Sequence, residues 1–166
     1  MFFKKVLILI FILTFSVNSF ANTPRSTGKS KKWESFTAET NEGKICFAQT
    51  SPTKRAPAAV KREKSKLFVT FRPSENINDE ISLTSGHKYK ASTVMAKSGK
   101  RSYSFFSKED FAWILDDQEE KKFIQLMKKA TDVIVKARTS KGAETTDHYS
   151  MMGFTKAYNT AKKNCS

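Results

Sequence analysis

The stretch Thr145–Cys165, T-T-D-H-Y-S-M-M-G-F-T-K-A-Y-N-T-A-K-K-N-C, decides how this chain closes. Thr145, Thr146, His148, Tyr149 and Ser150 suit an extended strand, because β-branched and aromatic side chains fit a pleated surface. Gly153 breaks that pattern. Beyond it Phe154, Ala157, Tyr158, Ala161 and Cys165 recur at spacings of three and four, which places them on one face of a helix. Lys156, Lys162, Lys163 and Asn164 fall elsewhere, and lysines in a last turn complement the negative end of the helix dipole. A helix of about a dozen residues is marginal alone in water, so it is expected to dock through Phe154, Tyr158 and Cys165.

The partner expected for Cys165 lies near the other end. The chain has two cysteines, Cys46 and Cys165, and the N-terminus carries an export signature. Lys4 and Lys5 precede a short apolar run, Val6–Val17, and Ser19-Phe20-Ala21 puts small residues at the two positions a signal peptidase reads. The run falls short of the ~20 residues that span a bilayer. The expectation is a signal peptide over 1–21, cleaved after Ala21, and a periplasmic or secreted protein. In an oxidising compartment two cysteines suggest one disulfide. Closing a loop of this length stabilises by about 4–5 kcal/mol in the chain-entropy picture. Two free thiols are the competing reading; a metal site is poorer, since two cysteines and two distant histidines make no ligand cluster.

Between these ends the chain reads as strands. Asn22–Lys32 is polar and is expected to be a flexible leader, leaving 33–166 as one domain. Trp33, Ser35 and Thr37 alternate with Glu34, Phe36 and Ala38; Asn41-Glu42-Gly43 turns the chain, and Lys44–Thr50 returns it. Leu67–Arg72 is strongly strand-like, with Leu67, Val69 and Phe71 inward and Pro73 as its stop. Ile81 and Leu83 share a face. Ala91–Ala96 and the Tyr103–Phe106 segment flank a turn at Ser98-Gly99-Lys100, with Phe106 set for an outer face or a second core layer. Phe111–Leu115 is apolar throughout and is expected to be buried. A helix follows, with Asp117 as cap, Glu120 closing a capping box, and Phe123, Leu126, Met127 and Ala130 as its stripe. Thr131–Thr139 is the next strand, with Val133, Val135 and Ala137 inward. About nine strands and two short helices define an all-β sandwich.

The formal charge is +14 for the full sequence and +12 once Lys4 and Lys5 leave with the leader. Nucleic acid is the usual partner for such a charge, but an exported protein rarely meets it and none is expected. Anionic lipid, lipopolysaccharide or a polyanionic glycan is the better class. The cations concentrate in Ser51–Lys66, where Lys54, Arg55, Lys61, Arg62, Lys64 and Lys66 face one acid, Glu63. These six are the candidate anion-binding residues, as clustered cations attract over about a Debye length. No catalytic, cofactor-binding or metal-binding residues are expected, and the protein reads as a non-enzyme. Asp147-His148 is the best catalytic pair by composition, but neighbours on a strand point to opposite faces, so a hydrolase using His148 is a remote alternative. His87 reads as an exposed loop histidine, and Trp33 and Trp113 as core anchors.

The order of these motifs resembles the invasion-associated locus B family of exported alphaproteobacterial proteins. The matching features are Trp33, the K-I-C-F-A-Q strand with Cys46 and Gln49, V-T-F-R-P at Val69–Pro73 and E-I-S at Glu80–Ser82. F-A-W at Phe111–Trp113 and the closing stretch to Cys165 complete the set. The resemblance covers Lys32–Cys165. Ser85–Lys90 is more polar than the family pattern, and Ala130-Thr131 stands where a glycine is usual. The resemblance implies an immunoglobulin-like β-sandwich, export and no known catalytic residues. It also leaves open a periplasmic protein–protein contact module in envelope maintenance, with an envelope protein as partner.

Overall fold

The computed structural model describes residues 23–166, so the expected signal peptide and its cleavage site lie outside the described residues. Eleven strands and two helices follow one another as β1 (Arg25–Ser30), β2 (Trp33–Thr40), β3 (Gly43–Thr50), β4 (Lys54–Ala56), β5 (Lys66–Arg72), β6 (Ile77–Thr84), β7 (Val94–Ser98), β8 (Arg101–Lys108), β9 (Phe111–Trp113), α1 (Asp117–Lys129), β10 (Asp132–Arg138), β11 (Glu144–Ser150) and α2 (Phe154–Asn164). All ladders are antiparallel, in the order β1-β2-β3-β5-β6-β9-β8-β7-β10-β11-β4. The all-β sandwich with two helices expected from the sequence forms. Its strand order is close to a meander, whereas an immunoglobulin domain distributes consecutive strands between its two sheets.

The two layers share one strand. The first half of β8 pairs with β7, Val94 opposite Phe105, and the second half pairs with β9, Phe106 opposite Trp113. Inward positions from both layers meet in one core: Trp33, Cys46, Leu67, Val69 and Ile81 from one side, Val133, Val135 and Tyr149 from the other. The period-2 pattern decides this, since one residue of slip would turn each apolar set outward.

Both helices fill the inner side. In α2, Phe154, Ala157, Tyr158 and Ala161 are buried. Phe154 meets Trp33 edge-on at 4.8 Å between ring centroids, and Tyr158 meets Phe71 at 5.5 Å. Trp33 Nε1 donates to the Ser150 carbonyl at 2.9 Å, tying β2 to the end of β11. Gly153 is required where strand gives way to helix: its φ is +95°, and a Cβ there would lie 1.9 Å from the Ser30 carbonyl oxygen. Cys165 is bonded to Cys46 across 119 residues, so the free-thiol alternative falls.

Several sequence expectations change, beginning with the strand count: eleven strands form where about nine are expected, because short edge pieces such as β1 and β4 are paired through their backbones. The 22–32 leader is not wholly flexible: Arg25–Ser30 pairs with β2 around a bulge between Ser26 and Gly28. An edge strand needs no apolar face when its backbone is paired, and Ser26 Oγ donates to Glu34 while Thr27 Oγ1 donates to Ser35 Oγ. The α1 cap is Asp116, whose Oδ1 accepts the Glu119 N–H at 2.8 Å. Glu120 turns away from the expected capping box and accepts the Ile81 N–H at 2.6 Å. Within Phe111–Leu115 only Ala112 and Ile114 are buried, and Leu115 is 72 % exposed. Trp113 is partly exposed on the outer face, unlike Trp33.

Candidate anion-binding loop

β4 lays the start of the cationic segment along β11, with Lys54 opposite His148 and Arg55 opposite Asp147. The chain then leaves the sheet and returns as β5. Lys54, Lys61 and Lys64 are exposed, and Lys66 is half-buried at the head of β5. No salt bridge joins any of these four to an acid among the described residues.

Arg62 is different, and its assignment as an anion-binding residue is corrected here. Its side chain is 3 % exposed and that of Asp147 is 1 %, with Nη2 2.7 Å from Oδ1. Nη1 donates to Oδ2 at 2.8 Å and to the Ser85 carbonyl at 3.2 Å. Two parallel contacts between a guanidinium and a carboxylate make a strong, directional pair. Arg55 is committed in part: Nη2 donates to the Glu63 carbonyl, and Nε stands 3.9 Å from Asp147 Oδ1. The two arginines therefore hold the loop, and the lysines are what it presents. Gly86 completes the clamp, since its carbonyl accepts the Glu63 N–H at 2.9 Å. With φ +73° it would place a Cβ 2.2 Å from the Glu63 oxygen, so only glycine allows that approach.

Aromatic and imidazole groups surround the pair. Tyr89 accepts the Ser85 N–H at 2.6 Å, and burial pushes its phenol up to about 12. Burial, then the nearby Asp147 charge, raises Tyr149 as well. His87 is not the exposed loop histidine expected. It is half-buried, and burial lowers its pKa. Its Nδ1 lies 3.1 Å from the Lys88 carbonyl, which can only accept, so Nδ1 carries the proton. Nε2 then accepts from Thr145 Oγ1 at 2.9 Å. A base on a hydroxyl has the outline of a nucleophilic pair, but Thr145 is 2 % exposed, so a substrate has no approach to that hydroxyl. Its contact instead fastens the Ser85–Lys88 turn to β11. Asp147 faces inward to Arg62 while His148 lies on the other face of β11, as strand alternation requires.

A second surface escaped the sequence reading. The outward positions of the first layer carry Phe36, Phe47, Phe68, Phe111, Trp113 and Phe106. Phe36 and Phe47 stack at 5.2 Å and 15°, Phe47 meets Phe68 at 6.3 Å, and Phe68 meets Phe111 at 6.5 Å. Phe111 and Trp113 stack at 5.9 Å and 25°. Phe106, opposite Trp113, is 51 % exposed. The signal was present: Phe36 alternates out of phase with Trp33 and Ser35.

The acids expected at the start of α1 separate into roles. Asp116 caps, Glu119 pairs with Lys122 at 2.8 Å, and Glu120 lines a cleft of about 560 Å³ with Asp79, Glu80, Trp113 and Leu115. Burial pushes Glu120 up to about 7. Among the described residues no group of three His, Cys, Asp or Glu side chains is placed to hold a metal ion, and no helix is long and apolar enough to cross a membrane. No family model, curated protein or solved structure matches the chain. Fold and surface together define a disulfide-closed, basic all-β sandwich.

Proposed function

We propose that this is an exported, non-enzymatic binding protein of the envelope or the secreted fraction, of the kind its motifs resemble, the invasion-associated locus B family. Its 51–66 loop meets a polyanionic surface. The observation that carries the reading is the division of labour among the loop cations. Arg62 and, in part, Arg55 are spent on holding the loop, while Lys54, Lys61 and Lys64 stand exposed without an acid partner. A loop clamped at its base loses little conformational freedom when it binds, so more of its attraction survives as affinity. The disulfide supports export, because such bonds persist in oxidising compartments.

The test is the variant Lys54→Gln/Lys61→Gln/Lys64→Gln, titrated with heparin as a soluble polyanion across a salt series. The expected result is at least tenfold weaker binding, a shallower salt dependence and an unchanged melting temperature. Wild-type affinity in this variant would sink the reading. Intact mass of the natively purified protein tests the compartment: the expected mass begins at Asn22, and a chain still carrying Met1 would count against export.

A further inference from the structure

We propose that the outer aromatic face of the first layer docks on an anionic lipid bilayer, with its rings at the boundary between headgroups and acyl chains. This rests on the reading of the molecule as a binder of anionic surfaces and names a second, partly apolar surface for it.

The row runs from β2 across β3, β5, β6 and β9 to β8, about 24 Å at the usual strand spacing. Both helices pack on the opposite, inner side, Phe154 against Trp33 and Phe123 against Tyr103 and Phe105. Phe106 is exposed and the other five rings are partly exposed, and a row of apolar side chains reaching the surface together suits an interaction site. The geometry of the rings selects among partners. Phe36 on Phe47 and Phe111 on Trp113 are near-parallel across neighbouring positions, so their faces are turned to one another. A sugar stacks on an open ring face, and these pairs offer edges.

Charge narrows the choice further. Lys66 and Lys108 stand on the rung next to Phe68 and Phe106, Lys66 opposite Thr84 and Lys108 opposite Phe111. Lys29, Lys31, Lys32 and Lys66 line a cleft of about 370 Å³ at the β1–β2 corner of the same face. Two of the acids beside the row are engaged, Glu34 accepting from Ser26 and Glu80 taking both guanidinium nitrogens of Arg72 at 3.2 and 3.0 Å, while Asp79, Asp117 and Glu120 gather in the cleft at its Trp113 end. A second copy of the chain would bring like charges together. An anionic bilayer offers the complementary order, a negative layer over an apolar one.

The experiment uses vesicles of phosphatidylcholine with and without phosphatidylglycerol, carrying brominated acyl chains that quench tryptophan on contact. Trp33 is fully buried and Trp113 is partly exposed, so quenching reports on the aromatic face. The expected result is quenching with anionic vesicles alone. Phe106→Gln should bind at least tenfold more weakly and lose the quenching, with an unchanged near-UV spectrum. Lys66→Gln/Lys108→Gln, which removes the cations on the rung next to Phe68 and Phe106, should bind anionic vesicles more weakly, yet its bound fraction should still be quenched. Vesicle binding without quenching, or wild-type binding by Phe106→Gln, overturns the face and leaves the loop reading standing. No vesicle binding by the wild-type protein overturns the proposal whatever heparin does at the loop, and so does capture of an acidic protein at Phe106 in its place.

Discussion

Two carboxylates, one buried and one half-buried, fasten peripheral pieces of this sandwich, and they do so in opposite surroundings. Asp147 holds the 51–66 loop by facing the guanidinium of Arg62 in a nearly solvent-free contact. Glu120 holds the start of α1 to β6 with one backbone N–H, that of Ile81. Among the described residues no cation pairs with Glu120, and Glu80, Asp117 and Asp79 add negative charge around it. The comparison teaches that what faces a carboxylate decides how it fastens: Asp147 meets a guanidinium at contact distance, whereas Glu120 meets none and desolvation favours its proton.

The largest expected effect comes from breaking the first fastening. Arg62→Gln leaves the buried Asp147 carboxyl without its partner, and such a break costs about 3–5 kcal/mol. The double variant Arg62→Met/Asp147→Leu removes both charges and should recover most of that loss. Urea denaturation of the two variants and the wild type checks both statements. Equal destabilisation by the single and double changes would mean that the pair is held by packing and that its charges are incidental.

How much of this was legible in the sequence depends on the range of the interaction. Alternation in Trp33–Thr37 and in Leu67–Phe71 fixed which residues share a face, and the three-and-four spacing after Gly153 fixed the buried stripe of α2. Two cysteines and an export signature were enough for the disulfide. Arg62 was not legible, because its partner is 85 positions away and a cation run looks alike whether its members face water or a buried aspartate. Glu120 satisfied the local capping pattern, yet a longer-range bond to Ile81 won. Trp113 was misplaced because an apolar run of five in a short strand does not say which side is covered. The aromatic face was visible as phase in Phe36 but not as a surface, since alternation within one strand says nothing of what lies beside it.

The next effect is pH-dependent. Glu120 keeps its proton in the fold up to about pH 7, against an ordinary value of 4.5. The folded state therefore binds the extra proton between those limits. The associated stability is fully present below pH 4.5 and is lost as pH rises through 7. Because the group is close to half exposed, solvent screening reduces the effect to on the order of 1 kcal/mol. Glu120→Gln keeps an oxygen to accept from Ile81 and removes the charge. Its advantage over the wild type should be near zero at pH 4 and should reach about 1 kcal/mol at pH 8. A constant difference across that range would place the titration elsewhere.

The smallest effect is the one that separates holding from presenting. Lys54, Lys61 and Lys64 are exposed and without salt-bridge partners, so neutralising them removes no contact that maintains the fold. Surface changes away from special features stay within about 0.5 kcal/mol, and relieving like-charge crowding pushes toward stabilisation. Thermal unfolding of the triple glutamine variant should therefore match or slightly exceed the wild type at low salt, and the two should converge as salt rises. A clear loss of stability would mean that the lysines share the structural work of Arg62. The loop could then not be altered for binding without altering the fold.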